Sequence, residues 1–258
     1  MSRIGELIAE LCPDGVPLKE LGEVGLFIRG RRFTKADYVE AGLGAIHYGE
    51  IYTEYGTGAA MTRSFVRPEL KSTLRLAKTG DLVIAATGEN VKDLGRAVAW
   101  IGSDEIAIHD DCYIFRHALE PKYVSYFFQS SEFHGQKVKF ASESKVVRLS
   151  GANLAKIKMP VPPLEVQREI VRILDTFSAL EAELEAELEA RRRQYAFYWR
   201  ALLTPGGGWQ RKTLGEIADL FDGPHATPRK TDSGPWYLSI SSLKGGQFDL
   251  GESAHLGT

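Results

Sequence analysis

Cysteine is nearly absent from this 258-residue chain: Cys12 and Cys112 are the two, and neither lies in a CxxC pair. A disulfide framework is excluded, and a reduced, cytoplasmic compartment is the expected one. Long apolar runs are lacking as well. None approaches the ~18 residues of a membrane span, so no membrane partner is expected. The N-terminus carries Glu6 and Glu10 among its apolar positions and does not read as a secretion signal. The six histidines are scattered without metal-ligand spacing, so no zinc site or other metal ligand is expected. Catalytic signatures are missing too. There is no G-x-x-x-x-G-K-[ST] phosphate loop, and no N-P-P-[YF] or D-P-P-Y segment of an amino-methyltransferase.

What is present is an ordinary globular composition, 43% hydrophobic and 26% charged. The net charge of −2 argues against a general nucleic-acid coat, yet the cations are clustered. Arg29-Gly-Arg31-Arg32-Phe33-Thr34-Lys35 packs four into seven residues, and Lys137, Lys139, Lys145, Arg148, Lys156 and Lys158 face only Glu143 in their stretch. Local basic patches on a near-neutral chain suit a site-selective DNA reader.

The chain also repeats itself. Lys19–Gly30 (K-E-L-G-E-V-G-L-F-I-R-G) returns as Lys212–Gly223 (K-T-L-G-E-I-A-D-L-F-D-G), and Ile46–Ile51 has a weaker echo in Leu238–Leu243. So long a period means two whole domains rather than a solenoid. The first copy runs on well past Tyr48 and the second stops at Thr258, which reads as one module, a connector and the opening of another.

Within the first module, a short amphipathic helix ends at Cys12-Pro13-Asp14-Gly15. Strands are expected at Leu26–Ile28, Ala45–Ile51, Asp81–Ala86, Ala97–Ile101 and Cys112–Phe115. Pro121 opens a helix through Ser130 whose Tyr123, Phe127 and Phe128 supply a core face, and Asn153–Pro160 reads as a strand-like approach to Pro160-Val161-Pro162-Pro163. From Glu165 to Leu203 there is no Gly or Pro, and good helix formers dominate until Thr204-Pro-Gly stops the run. Ile170, Leu174, Phe177, Leu184, Leu188, Tyr195, Tyr198 and Leu202 fall on an alternating 4-3 spacing, with Glu181 and Arg191 as the polar interruptions. Such a helix spans on the order of 55–60 Å. Its apolar stripe, left in water, would forgo roughly 1.5–3 kcal/mol per large side chain. The expected partner of that stripe is a second helix; a helix lying across its own domain is the alternative.

These pieces together resemble the specificity (S) subunit of a type I restriction-modification system. Lys156-Ile-Lys-Met-Pro160-Val-Pro-Pro-Leu164-Glu-Val-Gln167-Arg-Glu-Ile170-Val-Arg-Ile-Leu174-Asp is similar to the proline-glutamine signature that closes a target-recognition domain and starts the family's conserved helix. Trp209-Gln-Arg-Lys-Thr-Leu-Gly-Glu-Ile217 resembles the opening of a recognition domain, and Gly80-Asp81-Leu82-Val83-Ile84 one of its strands. The resemblance implies an α+β fold: a mixed α/β target-recognition domain at residues 1–164, one long coiled-coil-forming spacer and dimerisation helix at 165–203, and a linker with the incomplete start of a second recognition domain at 204–258. It implies a non-catalytic DNA-recognition subunit that reads one half of a split target as a dimer of half-subunits. Its expected partners are double-stranded DNA, methyltransferase (modification) subunits and a second copy through the long helix, with a restriction subunit as an open further partner. No cofactor is expected in this chain; S-adenosylmethionine belongs on the partner methyltransferase.

Candidate DNA contacts follow from residue chemistry. Arg29, Arg31 and Arg32 are flanked by Gly30, so the backbone can approach a phosphate and the guanidinia can fork onto phosphate or guanine, with Thr34 and Lys35 beside them; a solvated surface run is the alternative. Tyr48, Gly49, Glu50 and Tyr52, on and after the next expected strand, are candidates for base-edge contact. Thr87, Glu89, Asn90 and Lys92 occupy the loop after the Asp81–Ala86 strand, where Asn and Glu can pair with adenine or cytosine. Lys145 and Arg148 read as phosphate anchors. A standalone nuclease built on Asp81, Glu89 and Lys92, a purely protein-binding module, and an inactive truncated subunit are the competing readings; the His109-Asp110-Asp111 run could serve hydrolysis or metal binding, but reads better as exposed turn residues.

Overall fold

The computed structural model describes residues 3–88, 94–140, 147–204, 210, 212–219, 230–238, 242–244, 247–249 and 254–256. The chain divides into two compact units, Met1–Ala190 and Arg191–Thr258. The fold is α+β, with a long helix after a sheet-containing domain.

The first unit is layered around a five-stranded sheet in the order Gly25–Arg29, Cys112–His117, Leu82–Ala85, Ala97–Trp100, Gly58–Ala59. The last pair is parallel and the others antiparallel. Side chains alternate along a strand, so the central strands serve two cores at once. Leu82, Ile84, Ala97, Ala99 and Phe115 enter one, where helices Pro121–Gln129 and Ser131–Lys137 contribute Tyr123, Val124, Phe127, Phe128 and Phe133. Val83, Ala85, Val98, Trp100, Cys112 and Ile114 enter the other, against Ile46, Ala77, Ile106 and Ile108 of a second sheet. That sheet runs Tyr38–Val39, Ser64–Val66, Leu43–Ile46, Ile106–Ile108, Leu76–Ala77. Burial on both faces is why Leu82–Ala86 and Ala97–Trp100 read as unbroken apolar runs rather than alternating ones. Cys12 and Cys112 are both buried and form no disulfide. No helix among the described residues is long and apolar enough to cross a membrane.

The proline-glutamine segment has a physical account. Gln167 is 1% exposed, and both ends of its amide are used: Nε2 donates to the Pro162 carbonyl at 2.7 Å and Oε1 accepts from the Glu120 N–H at 2.9 Å. A buried amide satisfied at both ends pins the first turn of helix Leu164–Leu203 to the chain at Glu120 and Pro162. Asp175 closes the packed stretch, taking an ammonium from Lys122 and the Tyr126 hydroxyl. Asp81 has an equally definite structural role. It is buried against the guanidinium of Arg116, at 2.7 Å from Nη2, and accepts the Lys78 N–H at 2.8 Å. Its carboxylate is therefore occupied by the fold.

The repeat is structural as well as textual. Leu21–Val24 and Leu214–Ile217 are both single-turn helices. In each, the glutamate of Leu-Gly-Glu reaches back to the backbone N–H preceding the turn: Glu23 Oε2 to Glu20 N at 2.7 Å, Glu216 Oε2 to Thr213 N at 2.6 Å. In the second unit, the helix residues through Leu203 are followed by that turn and by the pairings of Lys230–Tyr237 with Ala254–Leu256 and of Leu243–Lys244 with Gln247–Phe248. The weaker echo falls partly on 239–241, outside the described residues.

Three expectations are corrected. Ala45–Ile51 is not one strand: it ends at Ile46, and Tyr48–Thr53 is a helix. His47 accepts the Gly49 N–H on Nδ1 and Glu50 accepts the His47 N–H, and this local capping outweighs the strand-like aromatics. Asn153–Pro160 divides likewise into helix Gly151–Ala155, capped by Ser150 on the Asn153 N–H, and strand Lys158–Pro160. The apolar stripe of the long helix is also not free along its whole length. Ile170 is half-buried against the domain core, and Leu174 is partly covered too.

Candidate nucleic-acid interface

The residues singled out for DNA contact gather at two hollows of the first unit. The larger, about 630 Å³, is lined by Phe33, Thr34, Lys35, Gly49, Glu50 and Arg63 among others. Thr34 precedes a single turn, Lys35–Asp37, whose Asp37 accepts both the Thr34 N–H and its hydroxyl. The Thr34 N–H foremost, then the Arg67 guanidinium, holds the Asp37 carboxyl down at about 2. The chain therefore turns here on a carboxylate that stays ionised, and Lys35 stands exposed beside it.

The smaller hollow, about 280 Å³, joins Arg29, Thr87 and Arg148 with Asp110, Tyr113, Ser150 and Asn153. Arg29 ends an edge strand, and its Nε donates to the Asp110 carbonyl at 2.9 Å. Arg148 is the register partner of Thr87 in the short pairing of Val147–Arg148 with Thr87–Gly88. Tyr52 links the two hollows from the capped helix, its hydroxyl donating to the Thr87 carbonyl at 2.8 Å.

Not every candidate is a free contact group. Arg31 donates Nη1 to the Thr73 carbonyl at 2.8 Å, whereas Arg32 is exposed and makes no hydrogen bond or ion pair among the described residues. Glu50 is doubly used, by the His47 N–H and by the Ser64 hydroxyl. Tyr48 packs beside His47, ring centroids 4.4 Å apart. Gly30 does not open the backbone to a phosphate: a Cβ there would meet the His109 carbonyl at 2.0 Å, because Arg31 N bonds Ile108 O and Gly30 N bonds Cys112 O. That glycine is required by the crossing of two backbones. Glu89, Asn90, Lys92 and Lys145 lie outside the described residues.

Two cations escaped the sequence reading. Arg63 lines the larger hollow, and Arg96 donates to the Tyr52 carbonyl at 3.1 Å. Each is an isolated basic residue, with no cluster to draw attention to it. In the lining of the larger hollow the His47 and His109 rings lie tilted against each other, centroids 4.7 Å apart. Burial foremost, then the neighbouring His109, pushes the His47 pKa down.

The long helix offers the other candidate surface. In the first unit Phe177, Leu180, Leu184 and Leu188 are all exposed and line one groove with Glu181 and Glu185. Leu180 was missed because a strict 4-3 stripe puts Glu181 in its place; the observed ridge steps 3, 4 and 4 residues along the helix face. In the second unit Tyr195, Tyr198 and Leu202 are exposed, as are Phe197 and Trp199, which the stripe also left out.

Comparison with known proteins agrees with this architecture. Residues 13–190 match the family model for the type I restriction modification DNA specificity domain. Over 93 residues, 33% of this chain and 22% of the relative, the chain is 43% identical to the type I restriction enzyme EcoR124I/EcoR124II specificity subunit of Escherichia coli. Over 198 residues, 71% of this chain and 47% of the relative, it is 27% identical to the putative type I restriction enzyme specificity subunit S.HindORF215P of Haemophilus influenzae. Among solved structures, the HsdS subunit from Thermoanaerobacter tengcongensis superposes with a TM-score of 0.50 at 20% identity, covering 77% of this chain and 49% of that one. A chain from a study of type I R-M system assembly and conformational transition superposes with a TM-score of 0.53 at 22% identity, covering 77% and 50%. The matched stretch is thus half or less of the length of each of these proteins.

Proposed function

The chain belongs to the type I restriction modification DNA specificity family, and from that premise we propose that it is a DNA-recognition and scaffold subunit, reading one half of a split target. The observation that carries this is the convergence of Arg29, Thr87 and Arg148, far apart in sequence, on one hollow. Guanidinia at such a rim bind phosphate and set the register of the domain on the duplex. Base-edge reading falls to Lys35 and Gly49 at the larger hollow, to Tyr48 on the same helix as Gly49, and to Glu89, Asn90 and Lys92.

The chemistry belongs to partners. We assign no catalytic group and no cofactor to this chain; methyl transfer from S-adenosylmethionine is the work of modification subunits docked on it. Residues 1–164 serve as the reading head, 165–203 as spacer and self-association helix, and 204–258 as the opening of a second head. Two copies, paired through the Phe177–Leu188 ridge, present two heads to a symmetric split site.

The test is salt dependence. Arg29→Ala with Arg148→Ala should weaken binding to target duplex and reduce the slope of log K against log salt by about 1.8, at roughly 0.9 per phosphate contact. Fluorescence anisotropy across a salt series measures it, with circular dichroism confirming the fold. An unchanged slope assigns both arginines to the solvated surface and removes the phosphate-rim reading.

A further inference from the structure

We propose that His47, His109 and Asp111 form a binding site for one divalent transition-metal ion of the zinc class. The sequence offers only the His109-Asp110-Asp111 run, expected as exposed turn residues; the strand pairing brings His47 beside it, and His109 is buried. Leu43–Ile46 and Ile106–Ile108 run parallel with Ile46 opposite Ile108, so the next residue of the first strand, His47, and that of the second, His109, emerge side by side. Asp111 follows in the same tight turn, where the Cys112 N–H bonds the His109 carbonyl at 3.0 Å. One ring nitrogen from each histidine and one carboxylate oxygen of Asp111 all lie within 4.8 Å of one another. Three ligands around an ion with bonds of about 2.0–2.2 Å stand closer than that, and closing the difference takes side-chain rotations of about an ångström.

The hydrogen bonding supplies a second reason. His109 Nε2 stands 3.2 Å from the Phe33 carbonyl, which can only accept, so that nitrogen carries the proton. In the neutral ring Nδ1 then presents its lone pair, and it faces Asp110 Oδ1 at 3.2 Å and Asp111 Oδ2 at 3.3 Å. Lone pair against two carboxylates is repulsive unless a positive charge lies between them. The Asp111 N–H, at 3.4 Å from the same nitrogen, is too long to offset it. His47 Nδ1 is likewise a lone-pair nitrogen; the long bond it accepts from the Gly49 N–H, at 3.2 Å, is one that a metal on this nitrogen would displace. A bond from a backbone carbonyl to the far nitrogen of a ligating histidine is the usual way such a ring is oriented, and Phe33 provides it here.

Two imidazoles and one carboxylate favour zinc, cobalt or nickel over magnesium or calcium, which prefer all-oxygen cages. The larger hollow, which His47 and His109 line, leaves room for water or an anion at an open coordination position. An ion here would tie together the segment holding Phe33, the Tyr48–Thr53 helix and the His109–Asp111 turn. The site stands independently of the DNA-reading proposal.

The experiment is direct titration of the whole, chelator-stripped protein. Zinc by calorimetry should bind with one ion per chain. Cobalt should give the visible absorption of a low-coordinate nitrogen-oxygen site, bleached when zinc is added. His47→Gln and Asp111→Asn, each checked for fold by circular dichroism, should each lower zinc affinity by more than the ~100-fold that loss of an outer partner can cost, while His134→Ala leaves it unchanged. Failure to bind zinc or cobalt at micromolar concentration overturns the site and assigns the charge on His109 Nδ1 to a proton. Binding that survives both substitutions overturns it equally. None of these readouts involves DNA, so the outcome is separate from that of the salt series.

Discussion

Leu21 and Leu214 hold the same place in two copies of one capped turn, yet Leu21 is 0% exposed and Leu214 66%. The turn itself is alike in both, because its cap is local: a glutamate reaching back to a backbone N–H three residues before it. What differs is the surroundings. The first copy is enclosed by Gly151–Pro160, far downstream: Leu18–Glu20 pairs antiparallel with Lys158–Pro160, the Leu21 N–H bonds the Ile157 carbonyl at 2.8 Å, and Leu21 enters the core with Leu154, Ile157 and Met159. Among the described residues nothing encloses Leu214 in this way, and Ile217 beside it is 63% exposed. Local sequence decides the shape of the turn, and a distant segment decides whether it contributes to stability.

Truncation separates the two copies most sharply. Leu21→Ala removes a fully buried side chain from a core that cannot fully collapse, and should cost about 3 kcal/mol, within the usual 2–5. Leu214→Ala should stay within about 0.5 kcal/mol, as exposed substitutions do. Denaturant midpoints, with hydrogen exchange on the Leu82–Ala85 amides to isolate the first unit, measure both. Equal costs would break the contrast and mean that Leu214 is enclosed in solution.

The long helix repeats the contrast along a single element. Its first turns bury Val166, Gln167 and Val171, whereas Phe177, Leu184 and Leu188 are more than half exposed. Leu184→Lys should therefore leave the melting of the first unit unchanged while weakening self-association roughly 10- to 100-fold, the equivalent of about 1.5–3 kcal/mol for one large apolar side chain. Sedimentation across a concentration series reads this. A parent chain that is monomeric at every concentration sinks the helix-pairing part of the proposed function.

How far the fold was legible follows the same division. The long helix could be read from its prolines, its lack of Gly and its Thr204-Pro-Gly stop, all of them local signals. The doubly buried strands Leu82–Ala85 and Ala97–Trp100 announced themselves by composition. The helices Tyr48–Thr53 and Gly151–Ala155 did not, because each is a short turn held by side-chain caps, His47 with Glu50 and Ser150, inside stretches of strand-like residues. Basic clusters pointed to Arg29 and Arg148, but their meeting with Thr87 needs the pairing of Val147–Arg148 with Thr87–Gly88. Gly30 had a plausible role at a phosphate until the Ile108 and His109 carbonyls were found against it. For Arg29, Arg148 and Gly30 the missing information was a contact between residues remote in sequence; for the two short helices it was a local cap that residue type alone does not announce.

The finest form of the contrast lies in the glycine of the repeated Leu-Gly-Glu. A Cβ on Gly22 would stand 3.0 Å from Ala155 Cβ and 3.2 Å from the Ala155 carbonyl, while a Cβ on Gly215 meets nothing within 4 Å. Neither glycine has a positive φ, so alanine fits the backbone of both turns. At the open position Gly215→Ala should be neutral or stabilising by up to about 0.5–1 kcal/mol, through reduced freedom of the unfolded chain. At Gly22 the same gain is opposed by contacts well inside the ~3.5–4.0 Å optimum, and one of them is a carbonyl held in helix Gly151–Ala155. Overpacking of this kind costs about 1–3 kcal/mol, so Gly22→Ala should come out destabilising by roughly 1 kcal/mol net. Ala155→Gly removes the nearer contact, and the pair Gly22→Ala with Ala155→Gly should recover part of the loss as a positive coupling in a double-mutant cycle. Independent, additive effects would mean that the two turns differ for a reason other than the segment packed on the first.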